Sequence, residues 1–193
     1  MKIDKSIIIS FVLLVLIASL YRIMPGRPLG FAPQIAMALF AGSIVKDKKF
    51  AFILPLFSMF ISDLTYEVLY SFNISSVPGF YDGQLLNYVL IGAVTFIGFA
   101  INRKKIAQIV AGSFAGAIAY FFVSNLAVWM GGGLALNNLP YPTTMEGLLS
   151  CLTAGLPFLK GSLYATLFFS AVLFGGYYLL EKSGYRKPVL AKA

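Results

Sequence analysis

The pattern of long apolar runs constrains this chain more than any other feature. Six stand out: Ser6–Met24, Phe31–Val45, Phe50–Phe72, Leu85–Ile101, Ile106–Met130 and Leu163–Leu180, each bounded by charged residues, Pro or Gly. A helix rises about 1.5 Å per residue, so roughly 20 apolar residues cross a hydrocarbon core of about 30 Å. The second run would rise only about 22 Å. It is short for a span unless the bilayer thins or the run is partly enclosed, and Pro33 suits its first turn. One soluble core could not hide this much apolar side chain: 59% of 193 residues are hydrophobic and 11% charged, against roughly a quarter charged in soluble domains. The expectation is an all-α polytopic membrane protein, a single domain over residues 1–193 forming a six-transmembrane-helix bundle.

The basic residues orient such a bundle. Lys2 and Lys5; Lys46, Lys48 and Lys49; Arg103, Lys104 and Lys105; and Lys182, Arg186, Lys187 and Lys192 make up twelve of the 15 Lys and Arg. They fall on one side of six spans, leaving Arg22, Arg27 and Lys160 on the other. By the positive-inside rule both termini are cytoplasmic, and the net charge of +8 reads as a topology signal, not a nucleic-acid surface. Lys2 and Lys5 before an apolar stretch resemble a signal peptide, but no A-x-A site follows and Arg22 and Arg27 come next, so a retained first span is expected.

Short connections at 46–49 and 102–105 imply antiparallel hairpins, while two outer connections are long. In Gly131–Gly161, Thr143-x-x-Glu146 reads as a capping box opening an extra short helix over about 144–156. Leu148, Leu149, Leu152 and Leu156 would share a face, with the Gly131–Gly133 triplet and Pro157 as breaks. The segment Asn73–Gln84, with Pro78, Gly79 and Gly83 among aromatics, reads as a turn-rich cap.

Much chemistry is excluded. There is no His, and Cys151 stands alone, which removes His-based zinc sites, Ser–His triads and CxxC motifs. No nucleophile–base pair or cofactor motif is present, so an enzyme is the least favoured class. The sharpest signal is Asp63 and Glu67, four apart within one span and hence on one face. They can pair with Arg22 or Arg27 as a structural lock, or hold a solute or cation. Asn125 and Trp129 repeat the spacing in the fifth span, and Gln84, Asn87 and Tyr88 open the fourth from the same side. Singly, such residues more often bond a neighbouring helix or anchor the interface. Together, Asp63, Glu67, Asn87, Asn125 and Trp129, with Arg22 and Arg27, suggest a polar pocket opening outward. Gly112-x-x-x-Gly116 supplies a small-residue stripe, suited to internal packing or to docking a partner membrane subunit.

The order RPLGFAPQIAMALFAGSIVKDKKFAFILPLFSMFISDL over 27–64, SNLAVWM over 124–130, and LLSCLTAGLPFLKGSLYATLFFSAVLFG over 148–175 resembles an uncharacterised bacterial membrane family described in general terms as transport proteins. More distantly, six spans with an outward polar pocket are similar to the substrate-binding S components of energy-coupling factor transporters. That resemblance implies a cytoplasmic-membrane protein that binds a vitamin-like solute and works with a membrane-embedded coupling subunit and its ATPases. The Ala-x-x-x-Ala docking pattern often found in the first span of S components has no counterpart around Ala18. The leading expectation is small-solute uptake. The alternatives are an ion- or proton-coupled carrier using Asp63 and Glu67, and a non-transporting structural subunit that uses the Gly112/Gly116 stripe.

Overall fold

The computed structural model describes residues 14–182 apart from 22, 25 and 136. The chain is all-α. A helical stretch over 14–21 (α1) precedes α2 (Gln34–Ile44), α3 (Lys48–Ala51), α4 (Ile53–Ser71), α5 (Gln84–Phe99), α6 (Ile106–Met130) and α7 (Met145–Lys182). Among the described residues the only strand-like feature is an isolated bridge between Leu134 and Pro140. Three helical stretches are long and apolar enough to cross a membrane: Lys48–Ser71, Ile106–Met130 and Met145–Lys182. Their outward faces carry large exposed apolar residues such as Phe57, Val68, Phe114, Phe122, Phe168 and Val172. This is a membrane protein, because lipid is the solvent that favours such faces.

The short second run becomes the centre of the fold. With 11 residues α2 rises about 16 Å, and it packs on α4, α5, α6 and α7. Ala36, Met37, Ala38, Leu39 and Ala41 are fully enclosed. Enclosure resolves the length problem: a helix wrapped by others need not match the bilayer itself. Its contact with α5 is made by backbone. A Cβ on Gly98 would sit 2.6 Å from the Leu39 carbonyl oxygen, and one on Gly42 would sit 2.9 Å from the Gly98 Cα. Only glycine admits that approach.

Two basic clusters, at 46–49 and 103–105, gather at one end of the bundle with the end of α7. Lys48 donates to the Gly42 carbonyl and lies over the Phe99 ring, Ser43 bonds the Ile101 carbonyl, and Arg103 reaches Tyr177 and Glu181 near the end of α7. This is the basic end, and the opposite one is the far end.

The far-end connection corrects one expectation. The loop helix expected over about 144–156 and the last span are a single 38-residue helix, about 57 Å long, with Pro157 inside it. Proline removes one backbone hydrogen bond and costs about 3 kcal/mol in a helix interior. Packing along the whole of α6 offsets that: Cys151 lies against Asn125, Gly155 against Phe121 and Asn125, and the Ser113 and Ser170 hydroxyls are 3.0 Å apart. The cap is also shifted by one residue, since Thr144, not Thr143, accepts from the Gly147 N–H. The preceding loop folds on itself through Ala135 N to Leu139 O and Tyr141 N to Gly133 O, which buries Tyr141.

Candidate functional site

Polar side chains in an apolar bundle need partners, and tracing those partners locates the site. Asp63 is 1% exposed on the inner face of α4. Its Oδ2 accepts from the Gln84 side-chain amide and, at 2.6 Å, from the Tyr88 hydroxyl, both on α5. Asn87, between them, donates to the Tyr81 hydroxyl at 2.7 Å and to Gln84 Oε1, and it accepts from the Tyr120 hydroxyl of α6 at 3.0 Å. One continuous network thus ties α4, α5, α6 and the connection before α5. Tyr88 and Tyr120 also pack on the core cluster of Ile35, Leu39, Met59, Ile91 and Val94, so the network caps that core on its far side.

Glu67 has a different task. Its Oε2 accepts from the backbone N–H groups of Gly79 and Phe80, at 3.0 and 3.2 Å. Gly79 lies directly on α4: a Cβ there would overlap the Asp63 carbonyl oxygen and sit 2.6 Å from the Glu67 nitrogen. The turn-rich cap is therefore clamped onto the helix that carries both carboxyl groups. Asn73, in the left-handed conformation (φ 57°), ends α4 and starts that cap.

The other expected residues fall elsewhere. Asn125 bonds the Phe121 carbonyl and faces Cys151 and Gly155 between α6 and α7. The Trp129 indole donates to the Pro142 carbonyl and holds the far-end loop. Arg27 donates to the Phe31 carbonyl at 2.8 Å, and Arg22 lies outside the described residues. Asp63 and Asn87 share a site, Glu67 adjoins it, and Asn125 and Trp129 belong to the α6–α7 seam. Gly112 and Gly116 point inward, at Ile101 and at Ile35 and Leu39 respectively, so the stripe is occupied by the chain's own core. Tyr81 and Tyr120 escaped sequence reasoning, because an aromatic hydroxyl near a helix end looks like an interfacial anchor until its partner is known, and Gly79 was legible only as part of a turn-rich cap.

Two largely apolar surface grooves lie among the described residues, and only the first touches this site, through Tyr88. One, of about 380 Å³, runs along Phe52, Leu56, Phe60 and Tyr88. The other, of about 430 Å³, lies between Phe114 and the Leu156–Leu167 stretch of α7. Among the described residues no group of three metal-ligating side chains converges.

The model of a family of unknown function (DUF6580) matches residues 2–189. The chain belongs to that family. No curated protein and no solved structure matches it. Membership in DUF6580 agrees with the likeness to an uncharacterised family carried by the 27–64, 124–130 and 148–175 segments. It brings with it neither a transport activity nor a relationship to energy-coupling factor S components.

Proposed function

We propose that this protein binds a small polar solute from the far end of the bundle and serves its uptake across the bacterial cytoplasmic membrane. In this reading there are six spans, with the basic end and both termini in the cytoplasm. The Asp63 network is the recognition centre. The observation that carries it is a carboxyl group 1% exposed in a membrane helix, held by the neutral donors Gln84 and Tyr88 of a second helix and continued by Asn87 to a third. Ionisable groups are costly at such depth and mark functional sites by default. The interlinked amides and hydroxyls can exchange partners with a solute's own polar groups at little cost. Glu67 acts as the clamp on the 78–80 turn, which borders the site. ATP-driven uptake would rest on a partner with ATPase subunits, since the chain carries no Walker A pattern.

The test is native mass spectrometry of protein purified gently from its host, comparing wild type with Asp63→Asn. A small molecule held by wild type and lost in the variant is the expected result. Equal occupancy in both refutes the assignment. A second reading is favoured by Oδ2 already holding two donors from α5: the network then only locks helices, and Asp63→Asn lowers stability with no solute to lose.

A further inference from the structure

At the start of α2 two deficits coincide. The first turn is buried, with Gln34 5%, Ile35 6% and Ala36 0% exposed. Its N-cap is Pro33, and no side chain caps it. The first N–H groups of a helix have no carbonyl partner within the helix and carry the positive end of its dipole, so a buried and uncapped N-terminus leaves donors unmet. Gln34 occupies the first helical position, where a side chain leans back toward the N-terminus. Neither its Oε1 nor its Nε2 has a hydrogen-bond partner among the described residues. Buried amides are nearly always paired, and one left open calls for an explanation.

Among the described residues the chain's own acids do not fill the gap: Asp82 and Glu146 are exposed, and the other four are engaged elsewhere. Asp63 bonds Gln84 and Tyr88, Glu67 bonds the 79–80 backbone, Asp47 caps α3 and Glu181 pairs with Arg103. One cation is tethered to the segment that leads into the helix. Arg27, half-buried, is fastened to the Phe31 carbonyl three residues before Gln34, and that bond engages one of its five N–H donors. Gly30, with φ +71°, folds the same segment onto the Phe158 carbonyl, and Ser162 bonds its oxygen. The approach to the helix end is thereby fixed in shape.

We propose that the N-terminus of α2 seats the carboxylate group of a bound solute. The uncapped N–H groups and the Gln34 amide would donate to the carboxylate oxygens, and Arg27 would supply the nearby charge. Dipole, donors and cation all select an anion and disfavour a cation. The proposal deepens the solute-binding reading and rests on it: it adds the solute's chemical class, with the Asp63 network engaging its other polar groups.

The experiment uses the full-length protein in lipid nanodiscs, with benzoate as probe and benzamide as its neutral counterpart, read by thermal unfolding over a concentration series. Benzoate is expected to stabilise wild type where benzamide does not, and Gln34→Met is expected to weaken the benzoate response by about tenfold, the loss of roughly one good hydrogen bond to a charged group. Equal responses to acid and amide, or a Gln34→Met response within twofold of wild type, overturn the proposal. Should Gln34→Met fail to fold, Gln34→Glu places a carboxyl group in the seat. It is expected to abolish the benzoate response, and a wild-type response in that variant also refutes the seat. Native mass spectrometry separates the two levels: a solute lost in Asp63→Asn but kept in Gln34→Met removes the seat and leaves solute binding standing. No solute together with no benzoate response removes both.

Discussion

Replacing Gly79 by Ala should unfasten the cap of the candidate site. The added methyl would overlap the Asp63 carbonyl oxygen and lie 2.6 Å from the Glu67 nitrogen. Those are backbone atoms of α4, so the loop must retreat instead. Retreat breaks the two bonds from Gly79 and Phe80 to Glu67, now 3.0 and 3.2 Å. Each such bond to a charged acceptor contributes about 1.5–3 kcal/mol when buried. Phe80 is exposed and Glu67 half-exposed, so water recovers part of the loss and a net cost of about 2–4 kcal/mol is expected. Unfolding free energies in mixed micelles would measure it, with Gly92→Ala as control. A methyl at Gly92 meets nothing and should be neutral, or stabilise by up to about 1 kcal/mol through helix propensity. Because both partners act through the same bonds, Glu67→Ala and Gly79→Ala should be strongly non-additive, with a coupling of about 1–3 kcal/mol. A Gly79→Ala protein within about 0.5 kcal/mol of wild type, or strict additivity, would refute the clamp.

Gly98→Ala forces α2 and α5 apart against the Leu39 carbonyl and should cost about 1–3 kcal/mol by overpacking, measured the same way; an unchanged stability would mean the backbone contact is not made. Gly112→Leu meets Ile101 Cγ1 within 2.9 Å and should destabilise the isolated chain, whereas Gly116→Ala, whose methyl finds Ile35 and Leu39 at 3.3–3.4 Å, should stay within about 1 kcal/mol of wild type. If Gly112→Leu leaves the purified chain intact yet strips a partner from it, the stripe is a docking face after all.

The all-α class, the ends of α6 and the brevity of α2 were legible because hydrophobic run length reports directly on helices in lipid. The continuity of α7 through Pro157 was not. A proline is a local signal, and the packing of α7 against α6 that carries the helix through it is tertiary. The same limit applies to the site. Asp63 and Glu67 were visible as charges in an apolar run, but their shared face did not give them a shared role. One carboxyl group turns to α5 and the other to a loop, because Gly79 brings that loop onto the helix. Gln34 was hidden for a related reason: a glutamine near the end of a run looks solvated until α2 proves to be enclosed on all sides. Ala38-x-x-x-Gly42 and Thr95-x-x-Gly98 did carry a small-residue signal for the α2–α5 contact, of the same kind as Gly112-x-x-x-Gly116.

The two ends of α2 constrain how uptake could proceed. At the far end lie the groups able to exchange partners: the open amide of Gln34, and beyond the core cluster the Asp63 network. At the basic end α2 and α5 meet backbone to backbone at Gly42 and Gly98, Ser43 is bonded to Ile101, and Arg103 joins α7 through Tyr177 and Glu181. On the proposed uptake reading, a solute held at the far end would face a seam closed in part by backbone, where Gly42 and Gly98 offer no side chain to swing aside. Passage requires α2 and α5 to separate as bodies, or the bundle to move as a whole in the membrane. Close-packed interfaces resist continuous deformation and switch between discrete arrangements. Under the proposed uptake, such a switch would be a larger rearrangement than a rotamer change.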